Sequence, residues 1–197
     1  MSEGETIPRR LVVGISGASG TIYGIRLLQV LQARPDVETH LVLSAAARTI
    51  MRLETEWEPA AVEALADVAY APDDLRAAIA SGSFRTLGMV IIPCSIKTLS
   101  AVAHSYAADL MARAADVTLK EGRPLVLVVR ETPLHLGHLR LMVQVAEMGG
   151  IIFPPVPALY ARPQTVDELV DNTVGRVLAR LGIENELYAR WRGSEGG

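Results

Sequence analysis

The chain has 197 residues, of which 50% are hydrophobic and 21% charged, a composition typical of one compact domain with a full core. Its net charge of −3 gives no electrostatic reason to expect nucleic acid or an anionic membrane as a partner. The longest uncharged apolar stretches, 87–96 and 151–161, are short and contain proline, so we expect no membrane span. Residues 1–8 lack signal-peptide character and Cys94 is the single cysteine, so we expect a reducing, cytoplasmic location.

The first predicted element is a strand that leads into a turn of glycine and serine residues, after which a helix begins at Thr21. Gly17 and Gly20 allow backbone conformations that other residues avoid, and Ser16, Ser19 and the first helix N–H groups provide donors. This pattern predicts a cradle for an anion such as a nucleotide phosphate. An ordinary strand-to-helix turn is the alternative.

The second predicted strand, 37–43, ends at Ser44, where a nicotinamide dinucleotide site would have a carboxylate that binds ribose. The chain also lacks the Gly-Lys-Ser/Thr motif of nucleoside triphosphatases. Both absences favour a mononucleotide, and FMN is the ligand we expect.

Five apolar runs, at 11–15, 39–43, 88–92, 125–129 and 150–153, alternate with helix-period segments. This alternation predicts a single-domain α/β fold, with a Rossmann-like (flavodoxin-like) parallel sheet and helices on both faces. We expect residues 55–86 to be less regular, with two short helices and an extra strand or loop. The predicted divisions are a disordered or extended tail (1–9), the flavoprotein domain (10–184) and a C-terminal tail (185–197).

Two long helices are predicted after the fourth strand. The first, at 135–148, is amphipathic, with one apolar stripe formed by Leu136, Leu139, Met142, Val143 and Ala146. The second covers 165–181, starting near Thr165 and stopping at Gly182.

In an open parallel sheet, ligands bind beyond the carboxyl ends of the strands, so the loops after each strand should hold the chemistry. Ser95, Lys97 and Thr98 follow the third predicted strand and could bind a phosphate or flavin carbonyls, although helix capping by Ser95 is the alternative. Arg130 and Glu131 follow the fourth, and a structural salt bridge is the alternative to a functional site there.

Metal binding is not expected from the sequence. His135 and His138 form a His-x-x-His pair without a third ligand in view. Asp73 and Asp74 do not complete the Asp-Asp-x-x-Asp cluster used by magnesium-dependent prenyl diphosphate enzymes. Cys94 has no nearby base and is predicted to be an inert buried thiol.

Five segments in order resemble the UbiX-type flavin prenyltransferases, and the resemblance runs from Arg10 to Trp191. They are 14–20 (GISGASG), 93–100 (PCSIKTLS), 113–120 (RAADVTLK), 123–133 (RPLVLVVRETP) and 160–164 (YARPQ). The larger flavoprotein fold group includes cysteine decarboxylases, so the fold alone does not decide the reaction. A flavin-dependent carboxy-lyase acting directly on an aromatic acid and a non-catalytic FMN-binding protein are the alternatives.

The resemblance implies that the enzyme binds reduced FMN and dimethylallyl monophosphate and joins them. In that family N5 of the flavin takes the prenyl carbon as phosphate leaves, and C6 then closes a fourth ring. The product, prenylated FMN, is the cofactor of a separate UbiD-type decarboxylase. No metal takes part.

The resemblance also assigns residues. The expected FMN contacts are Gly17, Ala18, Ser19, Ser44, Ser95, Ile96, Lys97, Thr98 and Arg130. The expected prenyl-phosphate contacts are Arg113, Lys120, Tyr160 and Arg176. In the catalytic set, Lys120 neutralises the leaving phosphate, Glu54 and Glu131 transfer protons during ring closure, and Ser19 assists at N5.

One position departs from the family pattern, because Ala45 follows Ser44 where the family usually has lysine. Since Ser44 is retained, we expect flavin binding to survive. The resemblance further implies a homo-oligomer, a dodecamer with FMN at subunit contacts, and the positive mean hydropathy agrees with subunit contacts. Trp191 is expected at an interface or a neighbouring site.

Overall fold

The computed structural model describes residues 9–190, and within them six parallel strands form one sheet. The strands are β1 (Arg9–Ile15), β2 (Val37–Leu43), β3 (Val68–Tyr70), β4 (Gly88–Cys94), β5 (Leu125–Val129) and β6 (Ile151–Ile152). Their spatial order is β3-β2-β1-β4-β5-β6. Strands β1 to β3 are added towards one edge of the sheet and β4 to β6 towards the other, so the strand order reverses between β1 and β4. This reversal opens a crevice at the carboxyl ends of these two strands.

Seven α-helices connect the strands within the described residues. They are α1 (Thr21–Gln32), α2 (Ala45–Glu54), α3 (Pro59–Glu63), α4 (Ile96–Ala103), α5 (Leu110–Lys120), α6 (Leu136–Glu147) and α7 (Val166–Arg180). No helix among residues 9–190 is long and apolar enough to cross a bilayer.

The predicted fold is confirmed, and the reason lies in the central strands. Every residue of β4 and β5 is buried, as expected for strands covered by helices on both faces. Successive residues of β1 alternate between two cores: Leu11 and Val13 pack with α1 and α7, whereas Val12 packs with α4 and α5. All five predicted strands are present, and 55–86 contains α3, β3 and a 3₁₀ turn at Ala78–Ala80.

Helix α6 departs from the expected amphipathic arrangement. The predicted stripe is largely exposed: Leu136 is 59%, Leu139 45% and Val143 55% accessible. The buried contact comes instead from Val145, with Leu141 and Met142 packed partly against the same core. This helix therefore has two apolar faces, and only one of them is covered by its own chain.

The last helix follows its predicted signals. The Thr165 side chain accepts a hydrogen bond from Glu168 N at 3.2 Å, and Gly182 adopts a left-handed conformation just after the helix. The chain beyond it packs back onto α7, since Asn185 Nδ2 donates to Gly175 O at 2.9 Å. Trp191 lies outside the described residues, and the proposed division into tails and domain stays a prediction.

Candidate active site

A first cavity, cavity A, lies at the carboxyl ends of β1, β2 and β4 and has a volume of about 520 Å³. It is bordered by residues from several successive strand-end loops: Gly17, Ser44, Ala45, Ala46, Pro72, Asp73, Ser95, Ile96, Lys97, Thr98, Ala101, Asp109, Met111, Ala112 and Glu131. This volume is within the range of small-molecule and cofactor sites. The structure therefore brings Gly17, Ser44, Ser95–Thr98 and Glu131 together, as the sequence predicted.

Three helices begin at cavity A. The Ser44 hydroxyl accepts from Ala47 N at the start of α2, and the Ser95 hydroxyl accepts from Thr98 N at the start of α4. Asp109 caps α5 in the same way. Ser95 is thus both a helix cap and a cavity residue, so the two interpretations do not compete. Three positive helix ends around one cavity favour an anionic or electron-rich ligand.

Gly17 allows the loops after β1 and β2 to approach each other closely. A Cβ added to Gly17 would lie 2.4 Å from the Cβ of Ala46, a distance that atoms do not tolerate without movement. The small residues of the 44–47 segment, Ser-Ala-Ala-Ala, match this close approach. The wall of cavity A between these two loops is therefore backbone rather than side chain, which suits the approach of a flat ring.

The glycine- and serine-rich turn differs in two ways from the predicted anion cradle. Ser16 is buried, and its hydroxyl donates to Pro93 O at 2.9 Å and accepts from Ser95 N at 2.7 Å. It ties β1 to β4 and does not provide a donor to a ligand, so that expectation was wrong. Gly20 N donates to the Glu54 carboxylate at 2.8 Å. One of the backbone N–H groups expected to bind a ligand anion is therefore already bonded to a carboxylate of the protein.

A second cavity, cavity B, of about 580 Å³ lies on the other side of the same turn. Its lining residues are Ser19, Gly20, Tyr23, Val129, Arg130, Glu131, Thr132, Pro154, Pro155, Val156 and Pro157. Val129, Val156 and the prolines form its apolar part, and the polar side chains are Ser19, Tyr23, Arg130, Glu131 and Thr132. Glu131 borders both cavities, so the two spaces meet at this carboxylate.

Tyr23 and Arg130 form the polar side of cavity B. Tyr23 is half-buried, and burial raises the pKa of its phenol, while the nearby Arg130 guanidinium opposes that rise. Arg130 N also donates to Cys94 O at 3.1 Å, which fixes the end of β5 beside β4. The side chain of Arg130 is exposed and available at the junction of the cavities.

The structure does not bring Arg113 and Lys120 to either cavity. Both lie on α5, and Lys120 is at its far end, roughly 15 Å along the helix axis from Leu110 beside cavity A. Arg113 donates to Ala80 O and pairs with Asp116, and Lys120 pairs with Glu121. Neither residue borders cavity A or cavity B, although Arg113 directly follows Ala112, which borders cavity A.

Tyr160 and Arg176 lie closer to cavity B. The Arg176 guanidinium is 5.5 Å from the centre of the Phe153 ring, and Phe153 immediately precedes the proline-rich wall of this cavity. The Tyr160 hydroxyl donates to Ala189 O at 3.3 Å. Neither residue is part of the lining of cavity B, and Arg176 is connected to it only through Phe153, which precedes Pro154.

The remaining candidates show no catalytic arrangement. Cys94 is fully buried, and burial raises the pKa of its thiol well above the usual range, as expected for an inert thiol. The His135 and His138 rings stack with centroids 3.6 Å apart, and His135 caps α6 through a hydrogen bond from Gly137 N. In the part of the chain that the structure describes, no three His, Cys, Asp or Glu side chains form a metal-binding group.

Comparison with known proteins decides the family. The family model described as "Flavoprotein" matches residues 2–178. The chain is 62% identical over 188 residues to "Flavin prenyltransferase UbiX" of Escherichia coli K12, covering 94% of this chain and 100% of that protein. It is 53% identical over 186 residues to the Thauera aromatica protein of the same name, covering 94% and 95%. The chain belongs to the UbiX family of flavin prenyltransferases.

Solved structures of UbiX relatives have the same fold. AnUbiX (PadA1), crystallised in complex with FMN and dimethylallyl pyrophosphate, superposes with a TM-score of 0.93 at 46% identity, covering 96% of this chain and 100% of that one. A dodecameric FMN-dependent UbiX-like decarboxylase from E. coli O157:H7 gives a TM-score of 0.91 at 50% identity, covering 93% and 100%. The resemblance found in the sequence motifs is confirmed.

Sequence analysis missed part of the UbiX-type site. Tyr23, one turn into α1, was not singled out, although its place four residues after Ser19 on a helix puts both near one end of the sheet. Asp109 and Met111 at the start of α5 were also missed, because that helix follows α4 rather than a strand. A search limited to the residues that follow strands misses a helix such as α5, which begins at the carboxyl edge of the sheet without following a strand.

Proposed function

We propose that this chain joins the dimethylallyl group of dimethylallyl monophosphate to N5 and C6 of reduced FMN, and that the prenylated FMN serves a UbiD-type decarboxylase. The supporting observation is the junction of two cavities at Glu131: three helix N-termini border cavity A, and cavity B combines the Arg130 guanidinium with a wall of valines and prolines. A reaction that unites a flavin with a small apolar group needs such a pair of adjoining spaces.

Cavity A fits FMN in volume and chemistry. It combines the hydroxyls of Ser44 and Thr98 and the Lys97 ammonium with the open backbone wall at Gly17. These groups suit the polar and anionic parts of a flavin mononucleotide. Reduced FMN supplies the nucleophilic atoms N5 and C6 when bound. The residues of this chain bind it, orient it and exclude water from it.

Cavity B is the space for the dimethylallyl group and its phosphate. Val129, Val156 and the prolines at 154, 155 and 157 provide apolar contacts. Arg130, predicted from the resemblance as an FMN contact, borders cavity B, where its guanidinium also provides positive charge for the leaving phosphate. Glu131 lies at the junction of the cavities, and Glu54 is held at the Ser19–Gly20 turn by a hydrogen bond from Gly20 N. These carboxylates take up the proton that ring closure releases, and the Ser19 hydroxyl donates a hydrogen bond near N5.

The cations on α5 complete this site from another copy of the chain. Arg113 and Lys120 do not border cavity B of their own subunit, whereas a homo-oligomer can place them against a neighbour's cavity. The exposed Leu136, Leu139 and Val143 of α6 offer an apolar surface for contact between copies. We propose a dodecamer, the assembly of the E. coli O157:H7 relative at 50% identity. A cytoplasmic location agrees with the single buried thiol.

The decarboxylase alternative is less favoured. One relative is described as a decarboxylase, but the curated relatives at 62% and 53% identity are named flavin prenyltransferases.

The deciding experiment is to incubate the purified protein with reduced FMN and dimethylallyl monophosphate and to measure the flavin by mass spectrometry. We expect a gain of one prenyl unit. The Glu131→Gln variant should retain FMN binding, because the amide keeps the shape of the junction, but lose product formation by about 100-fold or more. Absence of the mass gain in the wild-type protein contradicts the proposed reaction, and full activity of Glu131→Gln contradicts the role of the carboxylate.

A further inference from the structure

Tyr23 lies in the wall of cavity B, where neither the sequence motifs nor the resemblance assigned it a role. Its ring packs against the turn that carries Ser19, since a Cβ on Gly20 would lie 3.0 Å from the ring. Gly20 itself has a φ of 94°, a left-handed conformation that glycine adopts without strain. The turn and the tyrosine ring therefore form one packed unit, and the position of the phenol is well defined.

The Tyr23 hydroxyl is available to a ligand in cavity B. It makes no hydrogen bond with any of residues 9–190, although the phenol is half-buried. Tyrosine hydroxyls in partly buried positions normally find a partner. The positive charge of Arg130 is close enough to act on the phenol, and burial nonetheless keeps its pKa above the ordinary value. The hydroxyl is thus a protonated donor at neutral pH.

A protonated O–H next to a guanidinium is a pair that binds an anion. The other lining groups are the apolar Val129, Val156 and prolines, the hydroxyls of Ser19 and Thr132, and the Glu131 carboxylate, so Arg130 is the one cationic side chain in this lining. A purely apolar substrate would leave the phenol and the guanidinium unpaired, at a cost in binding. A substrate that combines an apolar group with a phosphate satisfies both halves of the cavity.

We propose that Tyr23 donates its phenolic hydrogen bond to the phosphate of the prenyl substrate in cavity B, beside Arg130. This proposal rests on the proposed function. In the transfer step the C–O bond of the allylic phosphate breaks, its electron pair stays on the phosphate oxygen, and the allylic carbon bonds to the flavin nitrogen. The Tyr23 hydrogen bond strengthens as negative charge collects on the departing phosphate, so it assists departure as well as binding.

The test compares Tyr23→Phe with a matched change at Tyr70, whose hydroxyl bonds His40 away from both cavities. With reduced FMN saturating, we expect Tyr23→Phe to lower kcat/KM for dimethylallyl monophosphate roughly 10- to 100-fold, because a hydrogen bond to a charged group is lost. FMN affinity should stay unchanged. Tyr70→Phe should change neither quantity. Equal kcat and KM in Tyr23→Phe and the wild type overturn the proposal, because they show that Tyr23 contributes only the packing of its ring and that its hydroxyl does not bind the phosphate.

A second measurement keeps this proposal separate from the proposed function. Calorimetry of the FMN-loaded protein with inorganic phosphate requires no turnover. We expect weaker phosphate binding by Tyr23→Phe and unchanged binding by Tyr70→Phe, with similar melting temperatures for Tyr23→Phe and the wild type. If the wild type forms no prenylated flavin, the proposed prenyl transfer is disproved. Unchanged phosphate affinity in Tyr23→Phe separately overturns the role of the hydroxyl, whether or not prenyl transfer occurs.

Discussion

Cavities A and B are adjacent but are built in different ways. Cavity A is enclosed within one chain by strand-end loops and by the starts of α2, α4 and α5. Cavity B has a polar side at Tyr23, Arg130 and Glu131 and a proline-rich side, but the cations on α5 are not part of its lining. The difference fits the proposal that one chain supplies the flavin contacts of cavity A, whereas transfer of a group that leaves as phosphate depends on a second copy.

The largest expected effect concerns the two sets of residues proposed to act at cavity B, Glu131 from one copy of the chain and Lys120 from another. Lys120→Ala and Glu131→Gln should each lower product formation by about 100-fold or more, because each removes charge stabilisation or proton transfer. Co-expression of the two variants in equal amounts should restore roughly a quarter of the wild-type activity, since each site draws the residues from different copies of a symmetric assembly. Single-turnover formation of prenylated FMN measures the recovery.

The control for this experiment pairs Glu131→Gln with Ser19→Ala, because both residues border cavity B of the same chain. Their co-expression should restore nothing, as every site then carries one defect. Equal recovery in both mixtures, or no recovery with Lys120→Ala, contradicts the sharing of the site between copies.

The next largest expected effect is a loss of oligomer assembly when the exposed apolar face of α6 is changed. Leu139→Asp with Val143→Asp should prevent assembly, because burying unpaired carboxylates in an apolar contact is costly. We expect a smaller particle by light scattering, retained FMN binding in cavity A and little prenyl transfer. Gln144→Asp adds one carboxylate at another exposed position of the same helix and should leave the particle size unchanged. A full-sized double variant places the contact elsewhere.

A change within cavity A should have a moderate effect. Gly17→Ala places a methyl group 2.4 Å from Ala46 Cβ. Overpacking of this kind typically costs about 1–3 kcal/mol of stability, and we expect weaker FMN binding as well. Denaturant unfolding and flavin titration measure the two effects. The double variant Gly17→Ala with Ala46→Gly removes the clash and should recover both; if it does not, the close approach is not the cause.

The smallest effect concerns a region outside both cavities. His40 is buried between Tyr70 Oη and Glu38 Oε1, each 2.9 Å away, and burial lowers its pKa despite the nearby carboxylate. The unfolded chain therefore takes up a proton before the folded chain does as pH falls below about 6.5, so the folded state loses stability there.

Urea unfolding at several pH values checks this expectation. The wild type should lose stability between about pH 7 and pH 5, and His40→Gln should reduce that loss. His104→Gln alters an exposed histidine and should preserve the wild-type dependence. An unchanged slope in His40→Gln contradicts the assignment.

Local patterns predicted the strands and the start of the last helix well. The five apolar runs are strands and Thr165 is a cap, because burial and capping depend on neighbours within a few residues. Ser95 is also a cap, which the sequence offered as an alternative, whereas the capping by Ser44 was not predicted. Ser16 shows the limit. It has the same residue type as Ser19 and lies only three positions away, yet its hydroxyl is used entirely by Pro93 and Ser95 from a distant strand.

Helix α6 shows a second limit of local patterns. Its sequence has apolar residues on more than one side, and periodicity cannot tell which side the chain covers itself. The structure buries Val145 and exposes Leu139. A face left for a second subunit has the same composition as one that belongs to the core, so only packing distinguishes them.

By itself the sequence determined the parallel α/β fold, the strand ends that carry polar residues, and membership in the UbiX family. These follow from periodicity and from short motifs whose residues are neighbours in the chain. Only the tertiary structure decided that Ser16 is structural, that Glu54 binds the turn at Gly20, that Glu131 separates two cavities and that Tyr23 faces one of them. These contacts join residues that are far apart in sequence, and the spatial order of the strands and helices determines which of them come close.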